Sequence, residues 1–75
     1  MTTYECEQRR IEYRKETYHK GMRIRLISMD DMHAPPAGTL GTVQFVDDMG
    51  TVHTHWDNGS HLGAATEDEI EVCRI

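Results

Sequence analysis

The stretch LGTVQFVDDMGTVHTHWDNGSHL, residues 40–62, decides how the chain folds. Two alternating runs, Leu40 to Val46 and Thr51 to Trp56, flank Asp47-Asp48-Met49-Gly50, and a third, Ser60 to Ala65, follows Asp57-Asn58-Gly59. Period-two runs of β-branched and aromatic residues between Asp, Asn and Gly clusters read as antiparallel strands joined by tight turns. Turn length then sets which residues point inward, because directly opposite residues share a face. A four-residue loop puts Val46 opposite Thr51, Phe45 opposite Val52 and Val43 opposite Thr54. Asp57-Asn58-Gly59 admits a two-residue turn or a three-residue type I turn with Gly59 in the bulge. The first pairs Trp56 with His61 and sets Leu62 against His55. The second pairs Trp56 with Ser60 and sets Leu62 against Thr54, on the apolar face. Burial favours the second, which requires positive φ at Gly59.

Upstream, Met22, Ile24 and Leu26 alternate with Arg23, Arg25 and Ile27, which gives a half-buried strand. The next eleven residues, Met29 to Thr39, cannot extend it, because Pro35 and Pro36 remove two ladder donors. Downstream, a last strand runs from Glu69 to Arg74. Five short strands in so small a span predict a mainly β protein built on a small barrel. Its expected inner face is Val43, Phe45, Val52, Thr54, Trp56 and Leu62, joined by Ile24, Leu26, Ile70 and Val72, while Thr42, Gln44, His53, His55 and His61 face out.

Ahead of the strands, Thr2 and Glu5 form a capping-box pattern and Gly21 supplies a stop, which predicts an α-helix from Thr3 to Lys20. Glu5 with Arg9 and Glu16 with Lys20 are i,i+4 pairs in the favourable acid-first order. The apolar stripe is thin: Tyr4, Ile11 and Tyr18 recur every seven residues, but Gln8 and Arg14 or Lys15 stand between them. Such a helix is expected to dock lightly or fray. The organisation is thus a helix over residues 1–20 and a barrel over 21–75.

The 75 residues suffice for one domain with a small core, and no apolar run approaches the roughly 20 residues that span a bilayer. The charged start MTTYECEQRR is unlike a secretory signal. Cys6 and Cys73 stand far apart with no C-x-x-C pair, so neither a zinc ribbon nor a disulfide framework is indicated and a reducing cytoplasm is expected. The net charge of −5 opposes a general nucleic-acid binder. It also hides an asymmetry: residues 1–25 hold seven basic and four acidic side chains, and the remainder holds Arg74 against nine acids.

The run from Gly21 to Cys73 carries ordered motifs: GMRIRL, MDDMHAPPAGTLGTV, VDDMGTV, WDNGSHL and the acidic EDEI. In these it resembles the domain of unknown function 4314 family of bacteria, phages and mobile elements. The resemblance implies an SH3-like barrel and a phage or mobile-element setting, and implies no activity. The chain departs from the family in its richness in histidine and in Gly63-Ala64-Ala65, where the family tends to bulkier apolar residues.

Three surfaces are candidates for function. His53, His55 and His61 share an outer face at a spacing that zinc or nickel uses. The plainer reading is a solvated, His-rich strand face, because no carboxylate or cysteine is placed as a fourth ligand, and neither a native metal nor another cofactor is expected. The pairs Asp30-Asp31 and Asp47-Asp48 fall at opposite ends of the barrel, so they read as turn formers rather than one acidic site. At the first end, Met29, Asp30, Asp31, Met32, Pro35 and Pro36 are expected to meet Trp56, Asp57 and Asn58, which has the composition of a protein-contact surface. The helix offers the other candidate, with Arg9, Arg10, Arg14, Arg23 and Arg25 placed to hold phosphates. With no nucleophile–base arrangement or phosphate-cradling loop, the expected function is a non-enzymatic protein-binding module, a phage or mobile-element modulator of a host protein; the alternative is a nucleic-acid-binding accessory protein.

Overall fold

A computed structural model describes residues 2–73. The chain begins with the expected cap: Thr2 is extended and its hydroxyl accepts from the backbone N–H of Glu5 at 3.1 Å. The helix α1 runs Thr3–Thr17, three residues short of the expected end. It stops because Tyr18 leaves helical geometry, at φ −104° and ψ 122°, to bury its ring in the core, and its N–H still donates to the Arg14 carbonyl. Gly21, at φ 91°, then turns the chain into the sheet, and its N–H donates to the Val43 carbonyl.

Four strands follow: β1 (Arg23–Ser28), β2 (Leu40–Val46), β3 (Val52–Trp56) and β4 (Glu69–Val72). They form one antiparallel sheet in the order β3-β2-β1-β4. Arg74, at the expected end of the last strand, lies outside the described residues. No helix among the described residues is long and apolar enough to cross a membrane.

The architecture is a small α+β domain, with the sheet open where a closed five-stranded barrel was expected. The missing member is the segment 60–65, which makes a single isolated bridge, Val52 with Ala64, rather than a strand. Its backbone is spent elsewhere. The Leu62 carbonyl accepts from the indole N–H of Trp56 at 2.8 Å, and the Leu62 N–H donates to the Ser60 hydroxyl. Gly63 lies so close to the residue before β3 that a Cβ there would stand 2.6 Å from Thr51 Cγ2. Glycine and alanine also bring little strand preference of their own.

The hairpin of β2 and β3 follows the expected register at one end and departs from it at the other. Val43 faces Thr54 as expected, but Phe45 faces His53 and Val46 faces Val52, with a bulge between Val43 and Phe45. The cause lies in the turn. Asp47 N–H donates to the Thr51 carbonyl, and Gly50, at φ 82°, donates its N–H to the Asp47 carbonyl. Asp47 thus pairs with Thr51 across a three-residue turn, one residue shorter than expected, and the N–H groups of Met49 and Thr51 also donate to Asp47 Oδ1. The bulge absorbs that one-residue slip before it inverts the whole strand. Phe45, expected in the core, is instead 55% exposed, and Val46 packs against the core in its place.

The core consists of Tyr18, Ile24, Leu26, Val43, Val52, Trp56 and Ala64, with Met22, Met29, Val46, Ile70 and Val72 packed around it. Trp56 is wholly buried over Gly41, where a Cβ would come within 2.7 Å of the indole Cε3. The three-residue turn after it is present: Trp56 N–H donates to the Ser60 carbonyl, and Gly59 has φ 93°. Leu62, expected to complete the apolar face, is half-buried beside Trp56.

Candidate functional site

Arg14 positions the main candidate site, because it holds one of its walls. It is only 7% exposed, on the side of α1 shared with the buried Ile11 and Tyr18. Its guanidinium donates from Nη1 to the carbonyls of Ala64 at 2.7 Å and Gly50 at 3.2 Å, and from Nη2 to the carbonyl of Asp68 at 2.6 Å. Burial lowers the Arg14 pKa, while Tyr18, Asp68 and Glu67 act in the opposite direction. An arginine remains protonated under such a shift, and its planar fork suits several fixed acceptors at once. The expectation of a lightly docked helix is therefore corrected. Glu7 adds a hydrogen bond from Thr66 at 2.8 Å, and Lys15 pairs with Asp48 at the exposed rim.

The wall that Arg14 holds faces the loop after β1 across a cleft of about 500 Å³. Ser28, Met29, Asp30 and Asp31 line one side, and Leu62, Gly63, Ala65, Glu67 and Asp68 the other. The cleft is thus acidic, with apolar side chains among its carboxylates. Two of the acids also shape the backbone: Asp31 accepts from the His33 N–H at 2.7 Å, and Asp68 from the Ala65 N–H at 2.9 Å.

Of the expected contact set, Met29, Asp30 and Asp31 line this cleft, but the rest disperses. Met32 is 91% exposed and Pro36 is exposed, whereas Pro35 is buried. Trp56 has no exposed surface and reaches the cleft wall only through its hydrogen bond to Leu62. Asp57 turns away to pair with both terminal nitrogens of Arg23, which holds its carboxyl below the usual range, and Asn58 accepts from the Ser60 N–H. In their place the cleft gains Glu67 and Asp68, which the sequence presented only as a short acidic turn.

The five candidate phosphate-binding arginines do not form one surface. Arg14 is buried on carbonyls, Arg23 is paired with Asp57 and Arg25 with Glu71. Arg9 and Arg10 stand exposed on the helix. The histidines divide as well: His53 stacks on Phe45 and bonds Asp47 at 2.8 Å, whereas His55 and His61 lie ring to ring. No group of three or more His, Cys, Asp or Glu side chains among the described residues is arranged to hold a metal ion.

The fold and cleft define a small α+β domain, a four-stranded antiparallel sheet with a helix clamped onto the turn at Gly50 and the segment 64–68. The chain belongs to the family described as domain of unknown function DUF4314, whose pattern matches residues 7–73. That span begins inside α1 and takes in Ile11, Arg14 and Tyr18. No curated protein and no solved structure matches the chain.

Proposed function

We propose that the protein is a non-enzymatic module that binds another protein by a basic segment seated in the acidic cleft. The observation that carries this reading is the meeting of Met29, Asp30 and Asp31 with Leu62, Glu67 and Asp68 across one concave surface. A lysine or arginine side chain flanked by an apolar one complements it, with the thioether of Met29 adapting to the apolar part. The phage or mobile-element setting implied by the motifs fits a cytoplasmic modulator of a host protein.

The sheet is read here as an opened SH3-like barrel. The Val52–Ala64 bridge continues the register begun by Trp56 and Ser60, so the segment 60–65 runs along β3 where a fifth strand would lie.

Partner capture from host lysate, repeated at two salt concentrations, tests the proposal. Asp30→Lys with Glu67→Lys should abolish capture, Arg9→Glu with Arg10→Glu should leave it, and salt should weaken it only moderately. The opposite pattern, with tight gel-shift binding to DNA or RNA that falls steeply as salt rises, would establish the nucleic-acid alternative.

A further inference from the structure

We infer that His55 and His61 form a bidentate site for a divalent transition-metal ion. Of the three outward histidines, the structure removes His53, whose ring is held between Phe45 and Asp47, and brings the other two together. Their ring centroids are 4.3 Å apart with planes 41° from parallel, and both residues are exposed. Two imidazole nitrogens bound to one ion lie about 3 Å apart, given metal–nitrogen bonds of about 2.0–2.1 Å. Rings already in contact reach that spacing by side-chain rotation alone.

The backbone beneath them is fixed on both sides of the turn. Trp56 N–H donates to the Ser60 carbonyl, Gly59 N–H to the Trp56 carbonyl and Ser60 N–H to Asn58 Oδ1, and the Trp56 indole N–H holds the Leu62 carbonyl. The two ligands are therefore pre-positioned by the buried tryptophan between them, which removes most of the ordering cost of chelation. Neutral imidazole selects copper, nickel and zinc over magnesium or calcium, and copper binds most tightly of the divalent series. With two protein ligands, solvent completes the coordination.

Titration of the full chain with Cu²⁺, followed by calorimetry and electron paramagnetic resonance, tests the site. One ion per chain with nitrogen coordination is expected. His55→Ala and His61→Ala should each weaken binding at least about tenfold, because the second imidazole binds intramolecularly. His53→Ala should leave affinity within about twofold, since its ring is engaged elsewhere. All three changes are at the surface, and circular dichroism verifies that each variant is folded. A titration unmoved by His55→Ala and His61→Ala, or moved as much by His53→Ala, would overturn the inference.

Discussion

The hairpin of β2 and β3 and the seam between α1 and the segment 63–68 close the same small domain by opposite means. In the hairpin, Val43, Val52 and Trp56 are withdrawn from water, with Trp56 packed over Gly41, so attraction comes from apolar area and has little direction. In the seam, Ile11 and Tyr18 flank one guanidinium whose donors reach three carbonyls from two separate stretches of chain. The difference teaches that a helix with too thin an apolar stripe can still dock, provided a charged side chain bonds several backbone carbonyls of the facing segments at once. It also ties the helix to the cleft, because one of those carbonyls, that of Asp68, belongs to the acidic wall.

The largest effect is expected in the apolar region. Trp56→Ala should cost about 3–5 kcal/mol in chemical denaturation, comparable with the whole stability of a domain this size. Arg14→Ala should cost about 2–4 kcal/mol, since hydrogen bonds to a charged group are lost and their acceptors stay partly buried. Arg14→Met separates the two modes of closure, because it keeps an unbranched apolar side chain and removes the fork. If Arg14→Met matched the parent chain in a urea titration, the seam would be apolar after all and the contrast would fail.

Two glycines sharpen the comparison at a smaller scale. Gly50 has φ 82°, and a Cβ there would stand 2.9 Å from Thr66 Cγ2 and 3.0 Å from Ile11 Cγ1. Gly59 has φ 93° with open space around it. Gly59→Ala should therefore cost about 1 kcal/mol, the backbone penalty alone, while Gly50→Ala should cost about 2 kcal/mol or more because it also presses α1 off the seam. Equal losses in thermal unfolding would mean that the helix yields without resistance.

What could be read beforehand divides along the same line. The strand from Leu40 to Val46, the Thr2 cap and the turn with Gly59 at positive φ were all legible, because each follows from local pattern and turn chemistry. Phe45 falls outside the core because Asp47 pairs with Thr51, which shortens by one residue the turn whose length alone had set the register. The loss of the strand at 60–65 depends on the Trp56 indole taking the Leu62 carbonyl, a contact that alternation does not encode. Arg14 had a signal that went unused: it stands three residues after Ile11 and four before Tyr18, on the apolar stripe itself. An arginine at such a position marks a polar clamp or a solvated break, and only the tertiary partners decide between them. The candidate cleft was half legible for the same reason, with Met29 to Asp31 evident and Glu67 and Asp68 supplied by the clamp.

The smallest effect concerns the turn between β2 and β3, where the Asp47 carboxylate titrates. The hydrogen bond with His53, aided by the amides of Thr51 and Met49, holds the Asp47 carboxyl below its ordinary pKa, with desolvation partly opposing. A carboxyl whose pKa is lower in the folded than in the unfolded state contributes stability that is complete above the unfolded value, near pH 4. That contribution disappears as pH falls through the lower folded value, because protonation then favours neither state. Asp47→Asn keeps an oxygen acceptor for the turn amides but loses the charge facing His53. The pair is partly exposed, so solvent screening keeps its contribution small, and the melting temperature should fall by only about 1–3 °C at neutral pH. The gap between the parent chain and Asp47→Asn should narrow steadily in thermal melts taken below pH 4. A gap that stayed constant down to pH 2 would show that the turn is held by its backbone geometry rather than by the charge of Asp47.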